Sequence, residues 1–259
     1  MIPYKVYDII DLGLIEISTW GLFVSLGFLA GILFLFYEAK KKKFDFNILP
    51  DLALGVMISA FIGARILYVF NDFSYFYHNP IDIFKIWEGG LAWYGGLVGA
   101  VIFGVLYTKI KKINFWNITD SVAPALALGE FFGRIGCFMV HDHLGRLTNV
   151  PWAINYFGEM RHETAMYSSL LGLFLFIFLL FIRKVRKFQK PGYISSFYMI
   201  LSGLITFFIY GLRSADLPFS DPFWGPLRPS QYFSLILLIL GIIILIKIVK
   251  RDRIQKTTI

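Results

Sequence analysis

Only one cysteine occurs in 259 residues, so no intramolecular disulfide can brace the fold. Charged residues are scarce too, at 16%, against roughly 25% in soluble domains. No GxGxxG run is present and the paired glycines lie inside apolar runs, so no phosphate-cradling nucleotide loop is indicated. The opening stretch MIPYKVYDIIDLGLIEIS lacks the positive leader of a cleavable signal peptide. The apolar run after it is long enough to remain as a spanning helix. No metal, nucleotide or redox cofactor is implied.

What the chain has instead is apolar length. Apolar residues make up 57% of it, above the roughly 45–50% usual in soluble domains. Runs of about 20 apolar residues suffice to cross a hydrocarbon core of about 30 Å. Seven qualify: 17–37, 51–70, 91–108, 117–139, 164–182, 193–211 and 231–249. The predicted fold is an all-α membrane protein of seven transmembrane helices, a single integral membrane domain over 1–259. A net charge of +8 does not indicate nucleic acid, because the charge follows alternate loops. Basic residues gather at Lys40–Lys43, at Lys109, Lys111 and Lys112, between Arg183 and Lys190, and between Lys247 and Lys256. Positive loops stay cytoplasmic. The N-terminus is therefore expected outside and the C-terminus inside, with loops 71–90, 141–163 and 214–230 forming a small extracytoplasmic head.

Eight basic residues fall outside that pattern: Lys5, Arg65, Lys85, Arg134, Arg146, Arg161, Arg213 and Arg228. Arg65 lies in FIGARILYVFN, Arg134 in FFGRIGCF and Arg213 in FFIYGLRSAD, each near the end of an apolar span. All three spans are expected to run from cytoplasm to outside, so topology alone brings three guanidinium groups just under the outer surface. A charge at the centre of a spanning helix costs about 2.5–3.5 kcal/mol on insertion scales. Near a helix end an arginine can snorkel to the headgroups with little penalty. Three at matched depth favour an anion site, because guanidinium pairs bidentately with phosphate and phospholipid headgroups supply phosphate at that level. Trp20, Trp87, Trp93, Trp152 and Trp224 fall at the same outer level, where amphipathic rings anchor.

Glycines cluster there as well, in GGLAWYGGLVGA (89–100) and at Gly129, Gly133 and Gly136. Helix packing accounts for most of them, although glycine also lets backbone amides approach a ligand. Glu130, one turn before Arg134, reads as an internal charge partner. For His141 and His143 three readings stand open: surface loop residues, a general base, or a fragment of a metal site whose third ligand is not evident. Asp142 can cap a turn or pair with Arg146. Cys137 reads as a small hydrophobe within its span, and His162 as a structural residue opening the helix before span five.

The stretch GRIGCFMVHDHLGR (133–146) resembles the signature of the prolipoprotein diacylglyceryl transferase family. There a Gly-Arg-x-Gly core is followed by Phe and then by an acidic residue and Gly; the matching positions are Gly133, Arg134, Gly136, Phe138, Asp142 and Gly145. Other blocks similar to the family's follow in order: GARILYVFN (63–71), WEGGLAWYGGLVG (87–99), RHETAMY (161–167), YGLRSAD (210–216) and RPSQYFS (228–234). The resemblance spans most of the chain, and seven spans with an outside N-terminus is the family topology. Departures stand at Cys137 and Val140, where Asn is common, at Tyr94, where His commonly opens the Gly-Gly block, and at Asp142, where Glu is usual.

The resemblance implies transfer of a diacylglyceryl group from phosphatidylglycerol to the cysteine thiol of a prolipoprotein signal peptide's lipobox, with release of glycerol phosphate. It further implies the bacterial cytoplasmic membrane, with the active site on the extracytoplasmic side. Breaking the carbon–oxygen bond leaves new negative charge on the departing phosphate, which arginines in a low-dielectric pocket stabilise. On this reading Arg134 and Arg213 are catalytic, with Arg65 a third contact. The acceptor thiol, with a free pKa of about 8.5, is helped by a base. His141 or His143 suits that need by type, and Tyr94 orients the substrate or donates a hydrogen bond. Gly95, Gly96, Gly133, Gly136, Asp142 and Gly145 join Arg65 and Arg134 as substrate-binding residues.

Two other classes stay open. One is a transporter of anions or anionic lipid, against which stand the lack of an internal repeat and the gathering of polar residues at one face. The other is a diverged relative that binds lipid without this activity, which the substitutions at Tyr94 and Cys137 keep in play.

Overall fold

In lipid, a backbone can satisfy its own polar groups only within a helix or a closed barrel. All seven apolar runs accordingly become helices: α1 (Thr19–Lys42), α2 (Ile48–Asn71), α4 (Trp93–Ile110), α5 (Phe115–Val140), α6 (Thr164–Ile182), α7 (Tyr193–Leu212) and α8 (Pro229–Thr257), with the short α3 (Phe73–His78) after α2. The structure, a computed structural model, describes residues 2–11, 13, 16–42, 48–86, 89–218 and 220–257. Of the residues singled out in the sequence, Lys43 and Trp87 lie outside the described ones. Six of the helices are long and apolar enough to cross a membrane, which makes the chain a multi-pass membrane protein. Helix α4 is shorter. It runs 18 residues, one fewer than α6. Among the described residues, six such helices and one shorter apolar helix thus stand where the sequence reading has seven spans.

The chain divides into two compact units, residues 1–35 with 119–259, and residues 36–118. In the smaller unit α2 and α4 approach backbone to backbone. A Cβ added at Gly95 would lie 2.2 Å from the Gly63 carbonyl oxygen, and one at Gly99 2.2 Å from that of Ser59. Only glycine permits so close a crossing.

In the larger unit, α5, α6 and α7 share a core of Ala123, Ala127, Leu175, Leu179 and Ile194. Asp120 of α5 is buried, but its carboxylate accepts from the Gly192 and Ser195 backbone N–H groups, each at 2.7 Å. A carboxylate at a helix N-terminus meets orphan donors and a favourable dipole, so this charge holds the start of α7.

The loops are less loop-like than the sequence suggests. The stretch 141–163 carries three strands, β4 (Leu144–Leu147), β5 (Ile154–Tyr156) and β6 (Glu159–Glu163), which join β1 (Ile2–Pro3) in a four-stranded sheet ordered β1-β5-β6-β4. A separate hairpin pairs β2 (Ile9–Asp11) with β3 (Glu16–Ser18). The all-α expectation is corrected to that extent. Backbone groups outside the helices still need partners, and paired strands supply them.

Candidate active site

Arg134 and Cys137 lie three residues apart on α5, so they share a face. The helix stops after Val140 because His141 takes a left-handed backbone, φ 54°. That turn separates the two histidines. His141 swings inward: its Nδ1 donates to Glu163 Oε2 at 2.7 Å, with both residues buried. Glu163 in turn caps α6 by accepting from the Ala165 N–H. Burial pushes the Glu163 carboxyl upward, with the His141 hydrogen bond pulling it back. His141 is therefore packed away, its ring against Tyr4 and Phe138.

Asp142 and His143 face the other way, with side chains 41% and 26% exposed. The His143 Nδ1–H donates to the Asp142 carbonyl at 2.9 Å, and Thr164 Oγ1 donates to the His143 carbonyl. Burial first, then the positive charges of Arg213 and Arg134, push the His143 imidazole down to about 3. Burial raises the Asp142 carboxyl above the ordinary aspartate range, against the pull of the same two arginines. The Cys137 thiol lies within 4.8 Å of the nearest ligand atoms of Asp142 and His143.

Arg213 ends α7 and is buried. Its guanidinium stacks 3.8 Å from the centre of the Tyr210 ring and pairs through Nη1 with Asp221. Its Nε is buried with no hydrogen-bond partner among the described residues. Arg134 lies in the electrostatic reach of Tyr210 and of Glu130, the latter one turn below it on α5. Tyr210 therefore neighbours both arginines, with its ring face on Arg213, a stacking that guanidinium favours.

Two further arginines build the frame. Arg228, 1% exposed, donates to the carbonyls of Tyr210 (2.7 Å), Arg213 (3.2 Å) and Ser214 (2.6 Å). The last carbonyls of a helix lack internal partners, and Arg228 satisfies them while fixing the turn that bears Arg213. Arg161, equally buried, grips Asp216 with both Nη groups and reaches Glu159.

Gly145 bridges directly to Arg213. A Cβ there would sit 2.6 Å from His162 Cβ and 2.8 Å from the Leu212 carbonyl oxygen. Any larger residue would push Arg213 away from β4.

The other expected site residues fall as follows. Arg134, Arg213, Asp142 and His143 are brought together, and His141 is turned from them to Glu163. Gly136 packs α5 on Trp20 and Phe23, whereas Gly133 faces open space. Arg65, Tyr94, Gly95 and Gly96 belong to the unit 36–118. Gly95 and Gly96 press against α2, so packing accounts for both. Tyr94 is partly buried in the first turn of α4. Arg65 donates to five backbone carbonyls, those of Asp82, Ile83, Lys85, Gly89 and Gly90. That set uses all five donors of a guanidinium, so this arginine is accounted for by the loop it holds. His162 donates to or accepts from Tyr167, in line with a structural part.

Sequence reasoning missed Tyr210, Asp221 and Glu163, and left Arg161 and Arg228 without roles. The signal for the two arginines was present, since both stand among the basic residues that topology does not explain. Tyr210 carried none, because an aromatic residue in an apolar helix end is unremarkable by itself.

This arrangement can hold an anion between two guanidinium groups with a thiol, a carboxylate and a neutral imidazole beside it. Known proteins point the same way. The family model for prolipoprotein diacylglyceryl transferase matches residues 8–247. A phosphatidylglycerol–prolipoprotein diacylglyceryl transferase of Finegoldia magna is 37% identical over 237 residues, covering 92% of this chain and 93% of its own. One of Clostridioides difficile is 36% identical over 239 residues, covering 92% and 94%. One of Thermosynechococcus vestitus is 30% identical, covering 90% and 88%. With a match of that extent, and with Arg134, Gly145 and Arg213 joined in one constellation, the chain belongs to the prolipoprotein diacylglyceryl transferase family.

Proposed function

We propose that this protein transfers the diacylglyceryl group of phosphatidylglycerol to the cysteine thiol of a prolipoprotein lipobox, working on the extracytoplasmic side of the bacterial cytoplasmic membrane. The N-terminus lies outside in this reading and the C-terminus inside, with α4 completing a seventh crossing. The observation that carries the proposal is Arg213 stacked on Tyr210 with Arg134 nearby, the Arg213 Nε being buried and without a partner among the described residues. A buried donor without an acceptor costs about 1–3 kcal/mol. A phosphate oxygen would relieve that cost, and each charge-assisted bond to it contributes about 1.5–3 kcal/mol.

In the reaction the acceptor sulfur attacks the glyceryl carbon. The carbon–oxygen bond to phosphate breaks, a thioether forms and glycerol phosphate departs. Arg134 and Arg213 hold the charge that grows on the leaving phosphate, stronger in the transition state than before it. The thiol proton goes to Asp142. Its raised carboxyl is the better acceptor, whereas His143, held down to about 3, is a neutral partner that steadies the incoming thiol. A bound phosphate anion offsets the arginines and strengthens both as acceptors. His141 acts through its Glu163 bond, setting the turn that presents Asp142 and His143. Arg65 holds the carbonyls of Asp82, Ile83, Lys85, Gly89 and Gly90 within its own unit.

Labelled phosphatidylglycerol incubated with the purified protein and a lipobox peptide tests this. Label on the peptide cysteine is the expected result. Lipid binding without transfer would support the diverged lipid-binding relative, and uptake into vesicles without peptide labelling would support a transporter; either ends the proposal.

A further inference from the structure

We propose that Cys137, Asp142 and His143 form a binding site for a thiophilic divalent cation of the zinc class. Their ligand atoms, one from each residue, all lie within 4.8 Å of one another. A tetrahedral centre with about 2.3 Å to sulfur and about 2.0–2.2 Å to nitrogen or oxygen needs its donors roughly 3.3–3.7 Å apart. The remaining closure is about 1 Å and falls to Asp142 and His143, which stand in the turn past α5 with partly exposed side chains, while α5 fixes Cys137. Thiolate, imidazole and carboxylate together suit a borderline-soft dication, and three protein ligands leave the fourth position open.

The outer contacts fit the same assignment. The His143 Nδ1–H is held by the Asp142 carbonyl at 2.9 Å, the usual second-shell bond of a metal-binding histidine. In a neutral ring that bond leaves Nε2 as the nitrogen with a free lone pair. Charge sets the strength. Arg134 and Arg213 oppose a dication, but Asp221 already pairs with Arg213, and Glu130 faces Arg134. Thiolate and Asp142 then supply two negative charges to the ion itself, so binding is expected to be reversible rather than permanent. The His-x-His pair that suggested a metal fragment in the sequence is not the ligand set, because His141 is committed to Glu163. Cys137 and Asp142 complete the set around His143. Where Asp142 takes the thiol proton, as proposed above, an occupied site also blocks transfer.

Cobalt reports on this directly. Tag-free, chelator-treated full-length protein in detergent is titrated with Co²⁺. The expected result is a thiolate-to-cobalt charge-transfer band in the near ultraviolet, saturating at one ion per chain. Because the chain has one cysteine, the band can come only from Cys137, and C137S must abolish it. H143A, at a partly exposed position that the fold does not depend on, and D142N should each weaken cobalt binding at least tenfold. A wild-type protein without the band overturns the site, and so does H143A binding as tightly as wild type. The readout is independent of transfer, so loss of the function proposal would leave this test intact.

Discussion

Arg65 and Arg213 occupy matching places in the sequence, each near the end of an apolar run, yet they meet different surroundings. Arg65 finds five carbonyls, those of Asp82, Ile83, Lys85, Gly89 and Gly90, and every one of its donors is used. Arg213 has one carboxylate, one ring face and a buried Nε with nothing to bond among the described residues. A saturated guanidinium holds structure, because its hydrogen bonds are already satisfied. An undersatisfied one in a low-dielectric site carries an unmet demand for an anion. The same residue type at the same place in the pattern therefore does two jobs, separated by the backbone each one meets.

The contrast can be broken by mutation. The largest effect should come from Arg213→Lys and Arg134→Lys, since an ammonium cannot reproduce the planar fork or the stack on Tyr210. Transfer should fall about 10²–10³-fold, the scale on which a single oxyanion donor acts. Near-normal turnover by either variant would remove that residue from the site.

Asp142→Asn comes next. An acceptor must be ionised, so the parent rate should decline as pH drops through the raised Asp142 pKa. The variant should lose about 10²-fold, the lower end for a general base, together with that acid limb. An unchanged pH profile assigns the proton elsewhere.

Arg65→Lys should show the opposite signature. Detergent thermal unfolding should reveal a lower melting temperature and faster proteolysis near 82–90, while turnover of the folded fraction changes less than about tenfold. A large kcat loss with intact stability would merge the two arginines into one class.

Glu163→Ala should destabilise, by about 1–3 kcal/mol for the orphaned His141 donor and about 1 kcal/mol for the lost cap of α6, read by the same unfolding assay. The last effect concerns the pH dependence of stability and His143. Its folded pKa, about 3, lies below the unfolded value of about 6.5. Between these limits the unfolded chain binds a proton that the fold refuses, so stability declines as pH is lowered from about 6.5 toward 3. His143→Gln should flatten that decline between pH 7 and 4; an equal slope in both proteins would contradict the shift.

Much of the fold was legible because hydrocarbon imposes a simple rule. A run such as 164–182 has one way to satisfy its backbone, and the helix Thr164–Ile182 coincides with it. The strands between 144 and 163 were not legible. They are short, and the parallel pairing of Ile2 with Ile154 joins residues far apart in sequence. Arg134 and Arg213 stood out because charge in an apolar run is conspicuous. Tyr210 did not, because its importance lies in two contacts rather than in its type. The histidines show the limit most sharply. His141 and His143 are equivalent in the sequence, and a single left-handed residue sends one to Glu163 and the other toward the arginines.

Composition and charge order by themselves determined that this chain lies in a membrane and that some of its arginines are out of place there, because transfer of apolar and charged groups from water is costly or favourable irrespective of fold. Which guanidinium is saturated, which carboxylate is raised and which imidazole is turned away were decided only in three dimensions. Those properties depend on distances of a few ångströms between residues that the chain itself keeps far apart.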